Sequence, residues 1–122
     1  MSRTSKFLIA SFVATLVAAG QASAHAHLTS SVPADKATVQ VSPTAVELHF
    51  SEELNLRFSG ATIAGAGDKQ VPTGAAKLSD DGKTLTVPVS GSLDAGGYVV
   101  DWHVLSTDGH KTNGSYGFTV KP

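Results

Sequence analysis

The 122-residue chain contains no cysteine, so it has neither a disulfide nor a thiolate metal ligand. Its single methionine is Met1. Without other thioethers, a soft site for a reduced metal such as Cu(I) is excluded from the rest of the chain. A basic excess is missing too. Nine Lys and Arg stand against ten Asp and Glu, and no cluster of cations is present to neutralise a phosphate backbone. There is no Gly-rich phosphate loop, and no Ser-His-Asp set with a nucleophile elbow. The one long apolar run, Phe7 to Ala19, falls short of the roughly 20 residues that span a bilayer.

That run belongs to a recognisable pattern. Arg3 and Lys6 precede it, and Ala22-Ser23-Ala24 follows after Gly20 and Gln21. Charge, apolar stretch and small-residue site in this order predict a secretory signal peptide over residues 1–24, cleaved after Ala24. Export without a twin-arginine pair implies the general, unfolded route. The mature domain is then residues 25–122, with His25 at its head and a formal charge of −3. This length suits one domain with one core, held without disulfide staples.

The mature chain reads as short strands. In "VELHFS" (46–51), Val46, Leu48 and Phe50 alternate with Glu47, His49 and Ser51, the period of two expected of a half-buried strand. "KTLTVPV" (83–89) follows the tight-turn pair Asp81-Gly82 and alternates Leu85, Val87 and Val89. Pro88 cannot donate to a ladder, which puts it near an edge or bulge. "YVVDWHVLS" (98–106) places Tyr98, Val100, Trp102 and Val104 on one face. "SYGFTV" (115–120) does the same with Tyr116, Phe118 and Val120, behind a turn expected at Asn113-Gly114. Further strands are expected at 27–31, 39–41 and 56–64, and a loop with no packed face at 65–76. No segment has a capped 3.6-residue period. The expectation is an all-β antiparallel sandwich or small Greek-key barrel with Trp102 between the sheets.

Five histidines are the chemical inventory: His25, His27, His49, His103 and His110. On alternation, His49 and His103 lie opposite Phe50 and Trp102 and face solvent, as does Asp101. Cleavage would give His25 a free α-amine, which with its own Nδ1 chelates one metal in a six-membered ring. In "STDGHKTNGS" (106–115), Gly109 permits a bend between Asp108 and His110. Amine, two imidazoles and a carboxylate make a plane of three nitrogens and one oxygen, a tetragonal set suited to Cu(II). The D-x-H spacing alone is common, and by itself leaves metal binding open.

Three segments carry a resemblance. "HAHLTSSVPADKATV", "VELHFSEEL" and "GGYVVDWHVLSTDGHKTNGSYGFTV" are similar, in order and spacing, to the CopC family of periplasmic copper-binding proteins, over nearly all of residues 25–122. The resemblance implies a seven-stranded Greek-key β-barrel and a Cu(II) site built from the amine and imidazole of His25 with Asp108 and His110. It also implies an inner-membrane partner, the copper transporter CopD, and a role in copper resistance or uptake for a protein expected to be monomeric. Glu52 sits where the family keeps an acidic residue near the copper, a place from which a carboxylate orients the amine. Two departures stand out. The loop at 65–76, where some members carry methionines for Cu(I), has none here, which points to Cu(II) only. The usual proline after the loop histidine is Lys111, which loosens the loop and adds a positive charge.

His27 is ambiguous. "HAH" at a free terminus also fits the amino-terminal copper pattern, in which amine, two deprotonated amides and the third-residue imidazole hold the metal. That mode competes with His25 for the same amine. If the first strand begins early, His25 and His27 share a face, and His27 is either an axial or auxiliary ligand or a near-site residue that does not bind the metal.

Two rival functions remain. An N-terminal histidine brace also serves copper-dependent oxidative enzymes, but these need an open in-plane position that Asp108 would fill. A plain sandwich used for adhesion would have incidental histidines, and altering its D-x-H loop would leave copper affinity unchanged.

Overall fold

The computed structural model describes residues 25–122. The expected signal peptide, 1–24, lies outside the described residues. Eight strands run in chain order: β1 (Leu28–Val32), β2 (Thr38–Val39), β3 (Ala45–Phe50), β4 (Gly60–Ala64), β5 (Lys77–Leu78), β6 (Thr84–Pro88), β7 (Gly96–Leu105) and β8 (Lys111–Val120). They form two four-stranded sheets, ordered β1-β3-β6-β5 and β2-β8-β7-β4. All pairings are antiparallel except the short parallel one between β2 and β8. The all-β expectation holds, in the form of two open sheets facing each other. Eight strands appear where the family resemblance implied seven, and two of them, β2 and β5, are only two residues long. Among the described residues no helix is long and apolar enough to cross a membrane.

The core is built mainly from the alternating faces read from the sequence, with Ala26, Leu54, Ile63 and Leu93 added and Tyr98 only partly buried against it. Val46, Leu48 and Phe50 of β3, with Leu85 and Val87 of β6, meet Val100, Trp102 and Val104 of β7 and Tyr116, Phe118 and Val120 of β8. Burying each such side chain stabilises the fold by roughly 1.5–3 kcal/mol. Trp102 is 9 % exposed and meets Phe50 edge-on, with ring centroids 5.1 Å apart. Tyr98 is stacked on Phe118 and donates its hydroxyl to the Asp94 carbonyl at 2.7 Å.

Several local expectations change. The predicted strand at 56–64 is shorter, because Leu56–Phe58 forms a 3-10 turn capped by Asn55, whose side chain accepts from the Arg57 amide. The stretch 65–76 does have a packed side. Val71 and Ala76 lie against the core, and the Val71 amide donates to the Ile63 carbonyl at 2.8 Å. Pro88 ends β6. The Val89 amide is spent on Thr44 of the β3 side, so by alternation the ring nitrogen of Pro88 faces the β5 side, where β5 pairs only with Leu85 and Thr86.

The largest correction concerns Asn113-Gly114. It is not a turn but the middle of β8, with Asn113 opposite His103 and Gly114 opposite Trp102. β7 and β8 pair through ten consecutive rungs, from Gly96–Val120 to Leu105–Lys111. Glycine is required at 114 by contact rather than by backbone freedom, since a Cβ there would lie 2.7 Å from Cζ2 of the Trp102 indole.

Gly114→Ala therefore overpacks the inter-sheet space and should destabilise the domain by about 1–3 kcal/mol in urea unfolding. Gly97→Ala, on the same ladder with nothing within 4 Å of the new methyl, should stay within about 0.5 kcal/mol of the parent. Equal effects at the two positions would contradict the packing account.

Candidate metal centre

The β7–β8 ladder closes at Leu105–Lys111, so Ser106 to His110 is the hairpin loop of the longest strand pair. Its backbone is tightly held. The Ser106 amide donates to the His110 carbonyl at 2.9 Å, and the Gly109 amide to the Ser106 carbonyl at 2.9 Å. Gly109 has φ +96°, a conformation that a residue with a Cβ rarely adopts. The loop is braced from outside as well, for the Thr107 amide donates to the Glu53 carbonyl at 3.0 Å and Leu54 bridges Ser106. Lys111 is the first rung of β8, and its backbone closes the loop against Leu105.

Asp108 and His110 are joined side chain to side chain, with His110 Nδ1 3.0 Å from Asp108 Oδ1. The same Oδ1 accepts the Ser106 hydroxyl and, at 3.3 Å, the His110 amide. These donors, the Ser106 hydroxyl foremost and the His110 ring next, hold the Asp108 carboxyl below the ordinary carboxylate range. Both side chains are open to solvent. With three donors converging on Oδ1, Oδ2 is the oxygen left for another partner. An Nδ1 turned to Asp108 likewise leaves Nε2 of His110 facing outward, the arrangement in which a carboxylate orients a metal-binding imidazole.

Residues 25–27 arrive at this loop by a separate set of contacts. Ala26 is 1 % exposed and belongs to the core. Its carbonyl accepts the Thr112 hydroxyl at 2.9 Å. His27 is tied to the other sheet, donating its amide to Ser51 Oγ at 2.9 Å and accepting the Ser51 amide at its carbonyl, also at 2.9 Å. With Ala26 turned inward, His25 and His27 both turn outward. The His25 ring lies beside that of His110, with centroids 4.8 Å apart and planes inclined by 35°.

Of the residues singled out in the sequence, His110 has both His25 and Asp108 as neighbours. The His27 side chain is exposed, while its backbone is held by Ser51. Glu52 is half-buried in the turn after β3, and no hydrogen bond or ion pair of its side chain is found among the described residues. His49 is half-buried on the outer face of its sheet, with Nδ1 3.0 Å from Thr84 Oγ1 and Nε2 3.6 Å from Glu47. His103 and Asp101 are exposed. Among the described residues no group of three His, Asp or Glu side chains is close enough to hold a metal by side chains alone.

Sequence reasoning missed Ser106 and Thr112. Ser106 is 2 % exposed, and its hydroxyl ties the carboxylate of Asp108 to the backbone of His110. The signal available was "STDGH", a hydroxyl two residues before an acid, a common local bonding pattern. For Thr112 there was none, since its partner lies 86 residues away.

A family model described as the CopC domain matches residues 28–121, a span that begins just after His25 and His27. The chain is 50 % identical over 99 residues to Protein YobA of Escherichia coli (strain K12), covering 80 % of each protein. It is 37 % identical over 127 residues to Copper resistance protein C of Pseudomonas syringae pv. tomato, covering 99 % of this chain and 98 % of that protein. Among solved structures, CopC from Methylosinus trichosporium OB3b superposes with a TM-score of 0.75 at 37 % identity, over 80 % of this chain and 95 % of that one. PcoC, a methionine-rich copper resistance protein from Escherichia coli, gives 0.74 at 37 % identity, over 80 % and 100 %. A bacterial S-layer protein, SbsC, shares the fold alone, with a TM-score of 0.62 at 17 % identity. A domain model spanning both sheets, full-length relatives and a common fold agree: the chain belongs to the CopC family.

Proposed function

We propose that this chain is a periplasmic copper-binding protein, exported through residues 1–24 and completed by cleavage before His25. In this reading it holds Cu(II) and buffers it or delivers it in copper resistance or homeostasis. The observation that carries the reading is the 4.8 Å approach of the His25 and His110 rings beside an Asp108 bonded to the His110 ring. Residues far apart in the sequence are brought together, His25 by the buried Ala26 methyl and its Thr112 bond, and His110 by the closure of the β7–β8 hairpin. The relatives named as copper resistance proteins support copper as the cargo.

The donors would be the His25 amine and imidazole, the outward nitrogen of His110 and an oxygen of Asp108. Such a nitrogen–oxygen plane favours Cu(II), and with no sulfur in the mature chain Cu(I) finds no soft ligand. A third protein side chain in the plane fills the position that oxygen activation requires, so the site fits storage or transfer of the ion rather than catalysis on it. We further propose that the protein acts as a monomer and passes copper to an inner-membrane CopD-like transporter.

Asp108→Ala and His110→Ala, each made in the chain beginning at His25, should lower Cu(II) affinity at least tenfold (on the scale of about 10–100-fold for lost metal-site partners) in a competition titration. Unchanged affinity in both would reject the loop as the site. The pH dependence should come from nitrogen. An α-amine and imidazoles ordinarily titrate near about 7.7–8.0 and about 6.5, and protons compete with the metal for them. Asp108, held below the usual range, is already anionic there. Apparent affinity should therefore fall steadily from about pH 8 to about pH 6, with protons released on binding in calorimetry. A flat profile over that span would contradict the donor set.

A further inference from the structure

The terminus His25-Ala26-His27 can hold Cu(II) in two ways that exclude each other, and the structure bears on which is used. In the loop mode, His25 joins Asp108 and His110. In the amide mode, the His25 amine, the backbone nitrogens of Ala26 and His27, and the His27 imidazole surround the ion. The two amide protons then pass to solvent, and the hairpin loop takes no part. We propose that Ser51, with Thr112, selects between them by holding the terminus as the beginning of a strand, so that the amide site stays latent. This inference rests on the loop site proposed above and adds the residues that give that site preference over its competitor.

The amide mode needs three successive backbone nitrogens curled toward one point. Here the nitrogen of His27 is directed elsewhere: its N–H is donated to Ser51 Oγ at 2.9 Å, and the His27 carbonyl accepts the Ser51 amide at 2.9 Å. The peptide on the other side is fixed by the Thr112 hydroxyl on the Ala26 carbonyl at 2.9 Å. Between them the Ala26 methyl is buried at 1 % exposure. Curling the terminus would break all three hydrogen bonds and draw that methyl from the core. Each of these losses opposes the amide mode, the unmade hydrogen bonds and the re-exposed methyl alike. The imidazole of His27 is exposed, so the fourth donor of the amide mode stands ready. What withholds the mode is the backbone, and Ser51 carries two of the three bonds that hold it.

The test uses the chain beginning at His25, loaded with one equivalent of Cu(II) and followed by visible absorption and electron paramagnetic resonance. In the parent, His27→Ala should leave the spectrum unchanged, while Asp108→Ala should change it. In Ser51→Ala/Thr112→Val the absorption should move to higher energy and the resonance should show a four-nitrogen plane. That shift should vanish when His27→Ala is added and be indifferent to Asp108→Ala. Ser51→Thr, which keeps the hydroxyl, should restore the parent spectrum in the Thr112 background. If the double variant does not fold by circular dichroism, Ser51→Ala alone carries the test, with the same shift in part of the copper. A folded variant that keeps the parent spectrum would overturn the selection by Ser51. A parent spectrum abolished by His27→Ala and indifferent to Asp108→Ala and His110→Ala would instead overturn the loop site, and the selection with it.

Discussion

The methyl group of Ala26 sits in the core while its carbonyl takes the Thr112 hydroxyl, and the distance between His25 and the hairpin loop follows from that pair of contacts. Without them residues 25–27 would lose their anchors, and ordering a histidine against a distant loop would cost about 1–2 kcal/mol per residue in backbone entropy. Here the fold meets that cost before any ion arrives. His27 is held to one sheet through Ser51 and Ala26 to the other through Thr112, and the residue ahead of both is left beside His110.

The loop that His25 meets is rigid for a different reason. A hairpin loop is usually the mobile part of a sandwich, but this one closes a ladder of ten rungs. It is also braced by Glu53 and Leu54 from the segment after β3. Inside it, Ser106 uses a buried hydroxyl to tie the Asp108 carboxylate and the His110 backbone into one unit. The donors proposed for copper are thus preorganised individually, each on its own support, and the ion would need only to join them.

Much of this was legible before the structure. The inward faces of β3, β6, β7 and β8 follow from a period of two, and the placement of Trp102 between sheets from its position on one of them. The D-x-H loop was visible as chemistry, although its spacing alone left metal binding open. What could not be read depends on pairing across the fold. Gly114 looks like a turn residue until Trp102 is placed opposite it. Thr112 is an ordinary strand residue until Ala26 arrives from 86 positions away. The packed side of 65–76 rests on single apolar residues, Val71 and Ala76, too few to make a pattern. Glu52 was carried over from a family resemblance, and its side chain remains without a partner among the described residues.

The central claim is that a free His25 amine, created by cleavage, is a copper ligand. The most direct measurement is a Cu(II) competition titration on two forms of the domain, one beginning at His25 and one carrying a single glycine before it. The added residue leaves the side chains of His25, Asp108 and His110 in place and moves only the amine. Affinity lower by several orders of magnitude in the extended form is the predicted result. Equal affinity in the two forms would contradict the account and leave the copper to be held by side chains alone.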